Sequence, residues 1–305
     1  MRYAAGKVVS FAATLFIISL ITFTALQVLP GDPALLILGT EGDPEAVEAL
    51  RNRLGLDDPV PIRYGRWMLG LLQGDMGESL RYNMSASELI LRALPISLML
   101  AGAAVGLSLC AALPLGVLCA TFRGRSIDLF GLTFAQFGMA IPSFWLGILL
   151  IQVFAVRLHL APPGGYEGIT SLVLPAVALA LPRAAILTRM VRASMLDVLH
   201  QDYVRTARSK GVSLWAVVFK HALRNAGINI FTVAGIHLTQ LLAGTIVIEQ
   251  VFALPGLGQL LLPAVLQRDL PLVQGLVMIG ASLILMANLG FDFILAALDP
   301  RIRFD

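Results

Sequence analysis

The sequence predicts an all-α integral membrane protein with six transmembrane helices and both termini on the inner side. Three observations support this prediction: composition, six long apolar runs, and a bias of lysine and arginine toward alternate connecting segments. Hydrophobic residues make up 57% of the 305 and charged residues 13%, whereas soluble globular chains carry roughly 25% charge. With a mean hydropathy of +0.83, the chain has too little charge to cover a water-facing surface.

Six apolar runs reach the length of about 20 residues that a helix needs to cross the hydrocarbon layer of a bilayer. The first is longer than the core of a cleaved signal peptide, so we expect an uncleaved anchor. The second and third are separated only by a short basic turn. The predicted spans are 8–31, 95–122, 129–156, 168–188, 226–248 and 271–293.

The distribution of lysine and arginine predicts the orientation, because these residues concentrate in the inner loops of membrane proteins. With the N-terminus inside, the short outer loops carry almost no basic residues. Six of the eight outer arginines fall in the single loop 32–92, which is long enough for the rule to lose force. The net charge of +3 therefore belongs to loops that orient the chain, and no nucleic-acid partner is expected.

Two connecting segments are too long to be simple turns. In the outer one, 32–92, aromatic residues alternate with arginines, which predicts a helix at the membrane–water interface with Tyr64 and Trp67 at headgroup level. The inner one, 191–224, predicts two short amphipathic helices on either side of Gly211. Such a folded insertion suggests a docking surface for a soluble partner, and an ordinary positive-inside loop is the alternative.

The inner loop resembles the cytoplasmic EAA loop of permease subunits in binding-protein-dependent ABC importers. Aligned on Gly211, it matches the general pattern at Ala207 and Leu223 but lacks its glutamate, isoleucine and proline. The dipeptide, oligopeptide and nickel permeases share these departures, and DYVRTARSKG at 202–211 and HALRNA at 221–226 fit that branch closely. Other stretches that resemble the same branch are 29–33, 54–57, 74–79, 141–144, 254–258 and 298–303.

The resemblance implies the MetI-like fold of ABC importer permeases, in the bacterial inner membrane, with a cytoplasmic coupling helix. It also implies four kinds of neighbour: membrane lipid, a second permease that is a paralogue, two ATP-binding subunits, and a periplasmic or lipid-anchored substrate-binding protein. The residues that would couple to the ATP-binding subunits are Asp202, Arg205, Thr206, Ala207, Arg208, Lys210 and Gly211.

The chain contains no G-x-x-x-x-G-K-[ST] phosphate loop. We therefore expect it to be a transport subunit rather than an enzyme and to bind no cofactor, with ATP and magnesium on the partner subunits. Its four histidines are widely spaced, and no metal site is predicted.

Polar residues inside the spans are candidates for the translocation pathway, because hydrocarbon tolerates them poorly. Hydrogen bonding between helices is the alternative role. The pathway candidates are Gln136, Ser143, Asn229, Thr232, His237 and Gln240. Two charges, Arg183 and Asp292, are expected near span ends, where each would reach the inner interface.

The outer segment 249–269 is rich in glycine and proline. By resemblance it would be a re-entrant segment at the periplasmic mouth, where the binding protein docks. The gate or docking candidates in this segment are Glu249, Pro255 and Gly256.

Taken together, these features predict the pathway-forming subunit of an ATP-driven importer of di- or oligopeptides. Nickel as a chelate, glutathione or another small solute is the alternative cargo within the same family. A self-contained secondary transporter or channel is the alternative from another class. Such a protein would more often show intramembrane acids or inverted repeats, and neither is evident in the sequence.

Overall fold

The computed structural model describes residues 2–28, 44–54 and 57–298 and is almost entirely helical. The predicted motif at 29–33 and residues 299–303 of the motif at 298–303 lie outside these described residues. In chain order the elements are α1 (Arg2–Val28), α2 (Pro44–Leu54), α3 (Val60–Leu72), an antiparallel hairpin of β1 (Glu78–Ser79) and β2 (Met84–Ser85), α4 (Ala86–Thr121), α5 (Ser126–Ala140), α6 (Ser143–Leu150) with a π-helical turn (Ile151–Arg157), a 3-10 turn (Ile169–Leu172), α7 (Val173–Leu199), α8 (Asp202–Ser209), α9 (Leu214–Val251) with a π-helical turn near its start (Val217–Ala222), α10 (Leu257–Leu266) and α11 (Leu270–Leu298).

Five helices of the described chain are long and apolar enough to cross a bilayer, and a sixth crossing results if α5 and α6 together form one bent span. The contacts of these two helices support a single crossing. Asp128, in the first turn of α5, binds Arg192 in the inner part of α7. Gly147 in α6 lies against Phe252, just beyond the outer end of α9. The pair therefore leads from the inner side to the outer side, and the predicted fold class is confirmed.

The third crossing differs from the continuous span predicted at 129–156. The axes of α5 and α6 bend by 98°, and Ile141 and Pro142 adopt extended backbone angles between them. Proline disfavours the helical conformation of the residue before it, so the break falls at Ile141. The third span is thus two helices joined at an angle.

The inner loop is also shorter than the predicted 191–224. Helix α7 continues to Leu199, and the segment from Leu214 is the beginning of α9. The second of the two predicted short helices is therefore the inner end of a crossing helix. Ser213 still starts it, since its hydroxyl oxygen accepts a hydrogen bond from the N–H of Ala216 at 3.4 Å.

Helix α7 lies at the centre of the bundle and packs against α4, α5, α6 and α9. Small residues allow this close approach, because a bilayer supplies no hydrophobic force between helices. A Cβ atom added at Gly138 of α5 would lie within 3.0 Å of Ala185, and one at Gly116 of α4 within 3.0 Å of Val191. The buried alanines of α7 are Ala176, Ala178, Ala180, Ala184 and Ala185.

Two ion pairs join helices at the inner side. The ammonium group of Lys7 donates to Asp292 at 2.7 Å, which places the beginning of α1 beside the final third of α11, on the same side of the bundle. Arg192 donates to the two carboxylate oxygens of Asp128 at 2.5 and 2.9 Å. Asp128 is almost completely buried and also accepts the N–H of Gly124 at 2.8 Å.

On the outer side, α3 packs against α1 through aromatic side chains. The hydroxyl groups of Tyr64 and Ser19 share a hydrogen bond of 2.7 Å, and the rings of Phe23 and Trp67 stack at 5.7 Å. Ser19 lies about 10 Å along α1 from Leu26, the last residue of that crossing. The Tyr64 hydroxyl therefore reaches deeper than the headgroup level predicted for it.

Replacing Arg192 with methionine should lower the free energy of unfolding by about 3 kcal/mol, because the buried carboxylate of Asp128 would lose its cation. The measurement is the thermal unfolding midpoint of the detergent-solubilised protein. The matched control is Arg189→Met, an exposed arginine on the same helix, which should leave the midpoint nearly unchanged. Equal effects of the two variants would contradict the role of the ion pair.

Candidate translocation and coupling sites

The described part of the inner loop consists of α8 and the turns that flank it. Val204 is fully buried and anchors the helix against the inner parts of α7 and α9. Asp202 lies in the first turn and Arg208 in the last, an order that suits the helix dipole. Ala207 is half-buried, and the exposed coupling candidates are Asp202, Arg205, Thr206, Arg208 and Lys210. The helix thus presents a basic face to the inner side.

Gly211 ends α8 with a φ of +78°, a conformation that glycine adopts without steric cost. Its N–H donates to the carbonyl of Arg208 at 3.0 Å, and the N–H of Val212 donates to the carbonyl of Ala207 at 3.3 Å. The sequence-based prediction of a helix break at this position is therefore confirmed. The turn at Gly211 therefore determines how the chain passes from α8 into α9.

One face of α9 is exposed along most of its length. Three of the four pathway candidates on this helix belong to it: Asn229, Thr232 and Gln240. His237 is half-buried beside the face, and its Nδ1 atom has no hydrogen-bond partner among the described residues. The other members of the face are Ile236, Ala243 and Val247. We call these six exposed residues the α9 stripe, and its polar members lie in the inner and middle parts of the helix.

The two remaining pathway candidates lie on the bent third crossing. Gln136 is exposed on α5, and Ser143 is half-buried at the beginning of α6. Among the described residues, neither side chain forms a hydrogen bond with the α9 stripe. The structure therefore does not bring the two groups of candidates into direct polar contact within one chain.

Arg183 does not lie near a span end, in contrast to the sequence-based prediction. Because α7 begins at Val173 and continues to Leu199, the arginine is about 15 Å along the helix from its outer end. Its Nη1 atom donates to Oε1 of Gln240 at 2.9 Å. Gln240 itself lies about 16 Å from Val251, the outer end of α9. The two side chains thus meet near the middle of the bundle.

At the outer end of α9, Glu249 is fully buried and binds the beginning of α10. Its Oε2 atom accepts the N–H of Gly258 at 2.6 Å, while Ser97 of α4 accepts the N–H of Leu257 at 2.9 Å. The first N–H groups of a helix have no partner inside the helix, and a carboxylate there also suits the helix dipole. The hydrogen bond to this helix start gives the buried carboxyl group of Glu249 a structural partner.

The three outer candidates therefore differ in position. Pro255 is exposed, whereas Glu249 and Gly256 are buried. A Cβ atom added at Gly256 would lie within 3.0 Å of the carboxylate of Glu249 and of the Ser97 hydroxyl. Direct docking through Glu249 is excluded in this conformation, because its carboxylate does not reach the outer surface. A role for Glu249 in gating stays a prediction.

Sequence reasoning missed the buried acids that organise the two faces of the bundle. Asp128 holds Arg192 at the inner side. Asp269, at the outer side, accepts the hydroxyl of Ser79 and thereby ties the β-hairpin to the beginning of α11. An aspartate directly before an apolar run is a recognisable helix-cap signal. The partner of Asp269, Ser79, is 190 residues earlier in the chain. No pattern in the sequence indicates that these two residues are in contact.

Within the described chain, no group of three or more histidine, cysteine, aspartate or glutamate residues is arranged to hold a metal ion. The polar features of the bundle are instead a basic helix on the inner side, an exposed stripe on α9 and a mid-depth arginine. These features suit the membrane-spanning subunit of a larger transport system.

The comparison with known families identifies that system. The chain belongs to the family described as binding-protein-dependent transport system inner membrane component, whose sequence profile matches residues 112–304. The profile of the family's N-terminal region matches residues 1–101. The chain is therefore a multi-pass inner-membrane transport subunit.

Curated relatives align over nearly their full length. A putative peptide transport system permease protein of Brucella abortus is 40% identical over 307 residues, covering 98% of each chain. The oligopeptide transport system permease protein AppB of Bacillus subtilis is 39% identical over 94% of each chain. The glutathione transport system permease protein GsiC of Escherichia coli is 39% identical, over 100% of this chain and 99% of the relative.

Solved structures show the same fold. The MetNI methionine ABC transporter, in inward-facing conformations, superposes with a TM-score of 0.59 at 21% identity, covering 69% of this chain and 96% of that one. An amino acid ABC transporter solved with histidines gives a TM-score of 0.53 at 18% identity, covering 71% and 95%. The predicted ABC importer permease fold is thereby confirmed.

Replacing Gly258 with alanine should force α10 away from α9, because the new Cβ atom would lie within 3.0 Å of the Ile246 backbone. We expect a loss of about 1–3 kcal/mol, measured as a lower thermal unfolding midpoint. Gly106→Ala is the matched control, since nothing lies within 4 Å of the added atom, and it should be neutral or slightly stabilising. A neutral Gly258→Ala variant would refute the close packing of α9 and α10.

Proposed function

We propose that this chain is a permease subunit of an ATP-driven importer of di- and oligopeptides, and that α8 is its coupling helix. The observation that carries the coupling role is the placement of α8. It is a short basic helix on the inner side, anchored by one buried residue, Val204, and joined directly to two crossing helices.

The connection of α8 to the bundle supports a mechanical role. Two residues separate it from α7, and four separate it from α9. A displacement of α8 by a soluble subunit therefore acts on both helices at once. An exposed amphipathic helix of this kind suits a groove on a partner, and Arg205, Arg208 and Lys210 would complement acidic residues lining that groove.

The proposed partners follow from the same surfaces. Two ATP-binding subunits, which carry ATP and magnesium, would bind α8 and its counterpart in a second permease, a paralogue of this chain. The α9 stripe would face that second permease across the pathway, because its apolar members are as exposed as its polar ones. A periplasmic or lipid-anchored binding protein would deliver the cargo at the outer side.

Peptides are proposed as the cargo because the two relatives named for peptide and oligopeptide transport are 39–40% identical over at least 94% of this chain. Glutathione is the second candidate, since the relative named for it is equally similar and glutathione is itself a small peptide. Nickel has less support, because the described residues hold no metal-binding cluster and the names of these three relatives refer to peptides, oligopeptides and glutathione.

Replacing Ala207 with aspartate should abolish the stimulation of ATP hydrolysis by the loaded binding protein, because it adds a negative charge to a short helix whose exposed side chains include Arg205 and Arg208. The measurement uses the complete complex of both permeases, both ATP-binding subunits and the binding protein in proteoliposomes. We expect stimulated hydrolysis to fall to the basal rate, while the thermal unfolding midpoint of the permease changes little.

The matched control is Ser126→Asp, which introduces the same charge at an exposed position on the inner side, at the first residue of α5. This variant should retain stimulated hydrolysis. Normal stimulation in the Ala207→Asp complex would disprove the coupling role of α8. If neither peptides nor glutathione stimulate ATP hydrolysis by the wild-type complex, the proposed cargo is wrong.

A further inference from the structure

Arg183 is the cation at mid-depth of the described bundle. About 15 Å of α7 separates it from the outer end of that helix, which is half the roughly 30 Å thickness of a hydrocarbon layer. Arg189 and Arg192, on the same helix, lie closer to the inner end. A guanidinium at the centre of a membrane is energetically costly, and such residues mark transport routes or paired charges.

Arg192, nearer the inner end of α7, is paired with an acidic side chain, whereas Arg183 is not. None of the ion pairs among the described residues includes Arg183. Its polar contact is the neutral side-chain amide of Gln240. The inner pair of Arg192 with Asp128, by contrast, satisfies both charges. Because a guanidinium stays protonated in proteins, Arg183 carries a positive charge with no acid paired to it among the described residues.

The contact with Gln240 directs this charge toward the α9 stripe. Gln240 is exposed and Arg183 is only half-buried. One guanidinium N–H is used by the bond to Oε1, and a guanidinium has five donors. The amide nitrogen of Gln240 carries two more. The pair thus offers several N–H donors and a net positive charge on the face assigned to the pathway.

We propose that Arg183, oriented by Gln240, binds a carboxylate of the cargo as it passes through the membrane. For a peptide this group is the C-terminal carboxylate, which a guanidinium recognises through two parallel hydrogen bonds. The inference rests on the proposed function and adds the chemical group that the pathway selects. Zwitterionic peptides would pass Arg183 with their carboxylate satisfied.

The test compares uptake of two probes by proteoliposomes that contain the complete complex. One is an equimolar mixture of Ala-Xaa-Ala tripeptides with free C-termini, and the other is the same mixture with C-terminal amides. The measured quantity is the ratio of the two uptake rates. Preference of the binding protein enters every ratio equally, so a difference between permease variants reports the pathway alone.

Arg183→Gln should lower this ratio about tenfold, the effect of losing a hydrogen bond between charged groups. Gln240→Glu should lower it by a similar factor, because an internal carboxylate beside Nη1 would compete with that of the peptide. This second variant retains Arg183 and adds an ion pair, so it does not depend on tolerance of a missing arginine. Arg189→Gln, exposed on the same helix, is the control and should leave the ratio unchanged.

An unchanged ratio in both Arg183→Gln and Gln240→Glu would overturn the inference while leaving the proposed function intact. An unchanged ratio accompanied by sodium or potassium leakage in Arg183→Gln would also overturn it, and would assign the charge to a barrier against cations. If the wild-type complex imports neither mixture, the proposed function fails, and the inference fails with it.

Discussion

Backbone polar groups inside a bilayer have no water to bind, so each must find a partner within the protein. Unbroken helices satisfy this requirement along most of the chain, and the interruptions show where other groups take over. At the start of α10, Glu249 and Ser97 accept the N–H groups of Gly258 and Leu257. At the start of α5, Asp128 accepts the N–H of Gly124 and also holds α7 through Arg192. The buried acids are therefore part of the helical framework.

The apolar runs were sufficient to predict the number of crossings, because the length of an apolar helix in a bilayer follows directly from hydrocarbon thickness. Helix ends were predicted less well. The inner parts of α7 and α9 carry arginine and lysine and still remain helical, since their other sides bury residues such as Met195 and Val218. A prediction from hydropathy places the end of a span at the first charged residues. The observed helices continue beyond those residues for as long as one side packs against the bundle.

Among the site residues, the local pattern of the sequence predicted a helix break at one position and a shared helix face at three others. Gly211 ends α8 with a positive φ, and Asn229, Thr232 and Gln240 share one exposed face because helical periodicity requires it. The surroundings of residues that depend on distant contacts were not predicted. Arg183 was expected near the inner interface, and its partner Gln240 is 57 residues away along the chain. Glu249 was a candidate for docking or gating, and only the position of α10 shows that its side chain is covered.

The continuity of α9 from Leu214 to Val251 has a mechanical consequence. Its 38 residues, which include the π-helical turn at Val217–Ala222, form a helical rod roughly 55 Å long, much longer than the roughly 30 Å hydrocarbon layer that it crosses. Near its centre, a Cβ atom added at Gly235 would lie 3.1 Å from the ring of Phe291 of α11, so the two helices are in close contact at this point. A rod pivoting there moves its two ends in opposite directions.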